Sequence, residues 1–266
     1  MNTCIYLEHW PSHFKQFSTI IIPKPNKQTY GNPKSFCPII LLNTLGKLIE
    51  KVITDRLQFH VVKNDFIYSS QLGGLKFKST SDTGVALTHA ITLAFDIAQF
   101  FLSLNHCLLT LSLKKADFDP RVISFFADFL IQRNTKYRWN EFSFLLWEVN
   151  VGVGQRFALF SILSALYLSS LLYILEKCLN SLNIPVSLIS FVNDSLFISQ
   201  NKSIAISNTQ LFCSYNILLG LLKKFGLSIK HFKTETFHFN RSHRMFNPPP
   251  LDLSPLGGPV LYPKSS

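Results

Sequence analysis

Ile91-Thr92-Leu93-Ala94-Phe95-Asp96 and Phe191-Val192-Asn193-Asp194-Ser195-Leu196-Phe197-Ile198 are two apolar runs, each carrying an acidic residue. A carboxylate within a strand-like hydrophobic segment is costly unless something compensates it. Two such segments, each presenting a carboxylate at a turn or an end, predict a divalent-metal site shared by neighbouring strands. Apolar runs flank the polar pair Asn193-Asp194, which predicts a tight turn between two short strands.

Working outward, residues up to about Leu42 read as irregular and basic. They hold a short strand, Ile20-Ile21-Ile22, that ends in the Pro-rich turn Pro23-Lys24-Pro25-Asn26-Lys27. Asn43-Thr44 offers a cap before Leu45, Leu48, Ile49, Val52, Ile53 and Leu57, which recur at helical spacing. Gln71-Leu72-Gly73-Gly74-Leu75-Lys76 reads as a loop, and a helix is predicted near Ser81 to His89. Asp119-Pro120 starts a helix bearing Val122, Phe125, Phe126, Phe129 and Leu130. Arg133, Lys136, Tyr137, Arg138 and Trp139 form a basic, aromatic hairpin. An apolar helix follows Gln155, and a last helix runs from about Asn208 to Phe225, stopped by Gly226. Two strands are predicted to flank Lys233, and the Pro-rich end from Asn247 reads as a loop or a truncated edge. From Asp96 onward the order is strand, helix, helix, hairpin, helix, strand. This is close to the split βαβ layout of an α+β, ferredoxin-like sheet with helices on one face.

With 266 residues, 47% hydrophobic and 15% charged, the chain can fill a core and does not read as disordered. Its net charge of +11 favours a polyanionic partner, either nucleic acid or an anionic membrane surface. The cysteines Cys4, Cys37, Cys107, Cys178 and Cys213 are scattered without a C-x-x-C, which fits a reducing, intracellular compartment, nuclear or cytoplasmic. Pro11 breaks the helix that a zinc pair at His9 and His13 would need. The N-terminus lacks the pattern of a signal peptide. Phe157 to Leu175 carries no charge over nineteen residues, the length of a membrane span. Its serines, and the lack of a flanking Lys/Arg cluster, favour a core helix, with a membrane anchor as the alternative.

As an ordered set, three segments resemble the palm motifs of reverse transcriptases: Phe95 to His106, Val151-Gly152-Val153-Gly154-Gln155 and Phe191-Val192-Asn193-Asp194. They are most similar to those of non-LTR (LINE-like) retrotransposons, in particular fungal elements. Upstream, Ile22-Pro23-Lys24-Pro25, Lys34 to Ile39 and Gln71 to Leu75 resemble the fingers motifs of that family. The likeness runs from about Trp10 to Tyr262. It implies a right-hand polymerase fold with a fingers-like region over 1–90 and a palm-like region over 91–240, holding a fingers-type insertion near 104–150. A tail over 241–266 would end before the primer grip, with the thumb absent and no endonuclease upstream. It also implies RNA-directed DNA polymerisation on an RNA template and DNA primer with dNTPs and Mg²⁺ or Mn²⁺. Asp96 and Asp194 would be metal ligands and Phe101 would reject a 2′-OH. Gln155 would begin the loop that positions the nucleotide, and Lys233 would donate a proton to pyrophosphate. Lys24 and Lys27 would lie near template or triphosphate. Taken singly, Phe101 reads equally as core, Lys24 and Lys27 as solvated loop charges, and Asp96 as a turn cap.

This chain departs from the family pattern at several of those positions. Asn193 stands where the family has a bridging aspartate, and a hard cation prefers carboxylate oxygen. Cys37 replaces an arginine that grips the triphosphate, a fork of donors that a thiol cannot supply. Arg156 and Phe157 replace the glycine and small residue that let backbone approach the nucleotide. Phe160 replaces a small residue or proline, and Leu102 replaces a proline. The stretch from His89 to Asp96 is also short. The expectation is a degenerate retrotransposon fragment with little polymerase activity. The alternatives are a basic nucleic-acid-binding remnant and a membrane protein anchored by 157–175; no protein partner can be inferred.

Overall fold

The computed structural model describes residues 2–73, 75, 90–139, 141–153, 158–239 and 248–265. In chain order the described elements are α1 (Asn2–Tyr6), β1 (Gln16–Pro23), β2 (Phe36–Leu41), α2 (Thr44–Lys63), β3 (Ile91–Asp96), α3 (His106–Lys115), α4 (Pro120–Leu130), β4 (Arg133–Trp139), β5 (Phe142–Val149), α5 (Ala158–Ser181), β6 (Val186–Phe191), β7 (Asp194–Ser199), α6 (Ile204–Lys224), β8 (Glu235–His238), β9 (Leu251–Asp252), β10 (Val260–Leu261) and β11 (Lys264–Ser265). The helix predicted near Ser81 to His89 lies outside the described residues. The chain forms two compact units, Met1–His60 with Phe101–Leu163, and Val61–Phe100 with Ser164–Ser266.

In the first unit the strands lie in the order β2-β1-β4-β5. β1 pairs antiparallel with β2 and parallel with β4, and Thr19 and Thr135 share a buried hydroxyl hydrogen bond of 2.6 Å. Helix α4 starts where its sequence directs: Asp119 accepts from the Arg121 N–H at 2.8 Å, and Pro120 fills the first turn. Its spacing then buries Phe125, Phe126, Phe129 and Leu130. The Trp10 ring packs against Phe125 and Phe129, with centroids 5.4 and 4.8 Å apart. Asp128 on the same helix fixes the N-terminal segment, accepting from the Trp10 N–H at 2.6 Å and from Lys15 Nζ at 2.9 Å. Burial would raise the Asp128 pKa, but Lys15 and the Trp10 N–H outweigh it and hold the carboxyl low.

In the second unit the sheet order is β11-β8-β3-β7-β6. Its four longer strands are antiparallel at every contact, so β3 and β6 run parallel with β7 between them. This is the split βαβ arrangement the sequence order predicts. Helix α6 lies on the sheet, where Tyr215 and Phe197 flank Phe95 at centroid distances of 6.4 and 5.2 Å. It begins four residues earlier than its periodicity suggests. It ends at Gly226, whose φ of 69° supplies the left-handed turn that closes a helix. Gly220 lies on its exposed side, and a Cβ added there would meet nothing within 4 Å. Gly220→Ala therefore stabilises the protein by about 0.5–1 kcal/mol in a urea melt, the helix-propensity difference.

Helix α5 is the one described helix long and apolar enough to cross a membrane, over Leu159–Ser181. About two thirds of that segment is buried inside the protein, including Leu166, Tyr167, Leu171, Leu172 and Leu175. The Tyr167 hydroxyl donates to the Phe225 carbonyl at 2.6 Å, tying the apolar helix to the end of α6. A helix apolar all round is here a core helix.

One expected element is corrected. Lys233 has a strand after it, β8, but not before it. The preceding residues form a 3₁₀ turn at His231–Lys233 and a single bridge, Ile97 to Ile229.

Candidate active site

Asp96 is the last residue of β3 and Asp194 the first of β7, and their Cα atoms are directly paired across the ladder. Period-2 alternation puts Asp96 on the face of β3 shared with Thr92 and Ala94, opposite Leu93 and Phe95; both faces are covered, and Asp96 retains 5% exposure. The turn before Asp194 is two residues long, because Phe191 pairs with Asp194. Val192 takes a left-handed φ of 60°, a conformation that strains a β-branched residue. Two contacts hold the turn in place. The Asn193 carbonyl accepts from the Ile97 N–H at 2.9 Å, and Gly73 lies flat against Val192.

Asp96 is fully engaged. Lys230 Nζ donates to both of its oxygens at 3.0 Å, Lys233 Nζ donates to Oδ2 at 2.8 Å, and Asn193 Nδ2 donates to Oδ1 at 3.2 Å. The same Asn193 amide nitrogen lies 3.5 Å from Asp194 Oδ1. Burial alone would raise the Asp96 pKa, but hydrogen bonds from Lys233, Lys230 and Asn193 more than offset it, and the carboxyl titrates below its usual range. Asp194 moves the other way. Partial loss of hydration and the Asp96 charge raise it, against a smaller opposing effect of the two lysines. Lys233 is raised by its hydrogen bond to Asp96.

The resemblance implies two divalent ions at this place, and the residues present do not fit a pair. Two carboxylates face each other; the third position is an amide that presents its N–H₂ to them. Among the described residues no group of three His, Cys, Asp or Glu could hold a metal. The two carboxylates and two ammoniums already sum to zero charge. A divalent ion 4 Å from an ammonium is repelled by about 8 kcal/mol at an effective dielectric of 20.

The other predicted residues belong to the first unit or lie outside the description. Phe101 packs on Phe160 with centroids 3.7 Å apart, and its carbonyl accepts from the Val153 N–H at 2.8 Å. Gly152, with a φ of 74°, approaches so closely that a Cβ there would lie 2.6 Å from the Phe101 oxygen. Lys24 follows β1, where its N–H donates to the Ser35 carbonyl at 2.8 Å and its carbonyl accepts from Tyr30. Cys37 on β2 pairs with Ile22, so Lys24 and Cys37 share one end of the β1–β2 hairpin. Gln155, Arg156 and Phe157 lie outside the described residues.

Two residues take roles that sequence reading missed. Lys230 bonds both carboxylate oxygens of Asp96, yet in the sequence it is one more cation in a basic stretch; its signal is only its spacing of three from Lys233. Arg133, read with the surface cations of the hairpin, is 1% exposed. It donates to the carbonyls of Leu130 at 3.1 Å and Gly152 at 2.6 Å, and burial lowers its pKa to about 10. It ties the end of α4 to Gly152 rather than facing solvent.

The profile of the family described as reverse transcriptase (RNA-dependent DNA polymerase) matches residues 22–255. A probable RNA-directed DNA polymerase from transposon BS of Drosophila melanogaster is 30% identical over 99 residues, covering 37% of this chain and 11% of that protein. Apo telomerase from Candida tropicalis, truncated from its C-terminal domain, superposes with a TM-score of 0.60 at 17% identity. That match covers 88% of this chain and 52% of the telomerase chain. Telomerase from Candida albicans, solved with a fragment of telomeric RNA, gives a TM-score of 0.59 at 14% identity over 94% of this chain and 47% of that one. These matches thus span about half the length of the solved structures and a ninth of the transposon protein. At these identities the structural likeness establishes the fold, that of reverse transcriptase fingers and palm.

Proposed function

Since this chain belongs to the reverse transcriptase (RNA-dependent DNA polymerase) family, we propose that it is a non-LTR retrotransposon domain that retains primer–template binding and has lost most of its polymerase chemistry. The observation that carries this reading is the Asp96 carboxylate, held by Lys230, Lys233 and Asn193 at the position where the family gathers metal ligands. The second unit is the palm, and the hairpins β1–β2 and β4–β5 belong to the fingers. Divalent Mg²⁺ or Mn²⁺ is the metal such domains use generally, and RNA template, DNA primer and dNTP are the corresponding ligands. The four unpaired cysteines of intermediate exposure and the exposed Cys107 support a reducing, intracellular compartment.

Binding rests on different features from catalysis. The chain's +11 net charge supplies a salt-sensitive attraction for phosphates. On β4 and β5 the exposed side chains of Lys136, Arg138, Trp139, Phe142, Phe144 and Trp147 lie on one hairpin. Cations interleaved with exposed aromatic rings suit unpaired bases, which stack on them irrespective of sequence.

Primer extension on an RNA template, with Mg²⁺ and then Mn²⁺, tests the reading alongside fluorescence anisotropy of the same primer–template. Binding that weakens steeply with salt, with no incorporation, is expected. Loss of one preorganised electrostatic group costs about 10²–10³-fold in rate, and several are altered here. Asn193→Asp alone does not restore extension. Mg²⁺-dependent incorporation that disappears in Asp96→Ala would overturn the proposal.

A further inference from the structure

We infer that Lys230 is a resident counter-cation for Asp96, one that takes the place of a divalent ion and keeps the free protein from binding metal there. The inference rests on the reading of Asp96 as the family's metal-ligand position. It adds the residue that closes that position and the way the fold puts it there.

The placement of Lys230 is set by the backbone. After α6 ends at Gly226, the chain turns back and runs beside the end of β3. The Ala98 N–H donates to the Ser228 carbonyl at 2.7 Å, Ile97 bridges Ile229, and the Lys230 N–H donates to the Asp96 carbonyl at 2.9 Å. Lys230 is therefore bonded to Asp96 through its main chain as well as its side chain. Its ammonium sits 3.0 Å from both carboxylate oxygens, with the side chain 29% exposed. Lys233 differs on each count. It sits at the end of a 3₁₀ turn, reaches one oxygen, and is 54% exposed, so it is free to swing away.

Acceptor capacity completes the case. An ionised carboxylate offers about four lone-pair sites. Asp96 accepts two hydrogen bonds from Lys230, one from Lys233 and one from Asn193, which fills them. A metal ion could bind Asp96 only by displacing a donor, and the donor held by the backbone is Lys230. Hydrated Mg²⁺ also gives up its water reluctantly and gains little from one exposed carboxylate such as Asp194.

The test is Mn²⁺ binding by electron paramagnetic resonance on the whole chain without nucleic acid. Wild type is expected to show no saturable site tighter than about millimolar, the weak end for carboxylate sites. Lys230→Met, which keeps the stem and removes the charge, is expected to bind roughly tenfold tighter or more. That gain vanishes in Lys230→Met combined with Asp96→Asn. Lys233→Met gains less. An unchanged affinity in a folded Lys230→Met protein would overturn the inference, and Lys230→Gln repeats the arm if the methionine variant does not fold. A wild-type Mn²⁺ site that is lost in Asp96→Asn would overturn it with no lysine variant at all. Primer extension by a wild-type protein that binds no Mn²⁺ alone would sink the proposed function and leave the counter-cation standing.

Discussion

Asp96→Ala destabilises this protein by about 2–3 kcal/mol at neutral pH. In an open pair of metal-ligand carboxylates the same change would relieve repulsion and stabilise the metal-free protein. Here Asp96 is 5% exposed and holds two ammoniums. Removing one member of a buried ion pair leaves an uncompensated charge, at about 3–5 kcal/mol when both partners are buried. Lys233 is half in solvent and Lys230 partly so, which reduces the figure. The pH dependence carries a sign. The folded Asp96 pKa is depressed, so its stabilisation is complete above the unfolded carboxyl value near 3.9 and is lost as pH falls through the lower folded value. The difference between wild type and Asp96→Ala is therefore full at pH 7 and closes in acid below about pH 4. Urea melts of both proteins across that range read it directly. An alanine variant as stable as wild type at pH 7 would mean the lysines contribute nothing.

Gly73→Ala disturbs the turn that carries Asn193 and Asp194. A Cβ at this position would lie 2.5 Å from the Val192 nitrogen and 2.8 Å from the Phe191 carbonyl carbon. Both are backbone atoms, so no side chain can rotate aside. The turn is already strained at Val192 and tied to Ile97, and on the other side Gln71 bridges Ser190. Overpacking of this kind costs about 1–3 kcal/mol, and the displacement falls on the residues opposite Asp96. The measurement is stability in urea together with the Asp194 carboxyl shift by NMR. Gly73→Ala lowers the first and moves the second, whereas Gly220→Ala raises the first and leaves the second alone. A Gly73→Ala protein with wild-type stability and an unshifted Asp194 signal would show that the loop does not press on the turn.

Much of the fold was legible because its signals are local. Asp119-Pro120 carries its own helix start, Gly226 its own stop, and the apolar run Ile91 to Asp96 its own strand. A tight turn here was readable from the polar break Asn193-Asp194 between apolar runs, although the structure closes it one residue earlier, over Val192-Asn193, with Asp194 already in β7. The strand–helix order allowed the Asp96 strand to be its neighbour without fixing the pairing. The site was legible in part. Its carboxylates stand out because charge is rare in such runs. Lys230 does not, since one lysine among His231, Lys233 and their neighbours has no local mark, and Arg133 reads like any other cation of its hairpin.

The sequence by itself determined the family and the α+β order of elements, because periodicity, capping and motif order are properties of neighbouring residues. The tertiary structure decided how the apolar helix α5 is used, since burial depends on what packs around it. It also decided what neutralises Asp96. Lys230 lies 134 residues further along the chain, and only the return of the chain after α6, with its hydrogen bonds to Asp96 and Ala98, brings that ammonium to the carboxylate. Coulomb interaction depends on separation in space, and separation in sequence does not reveal it.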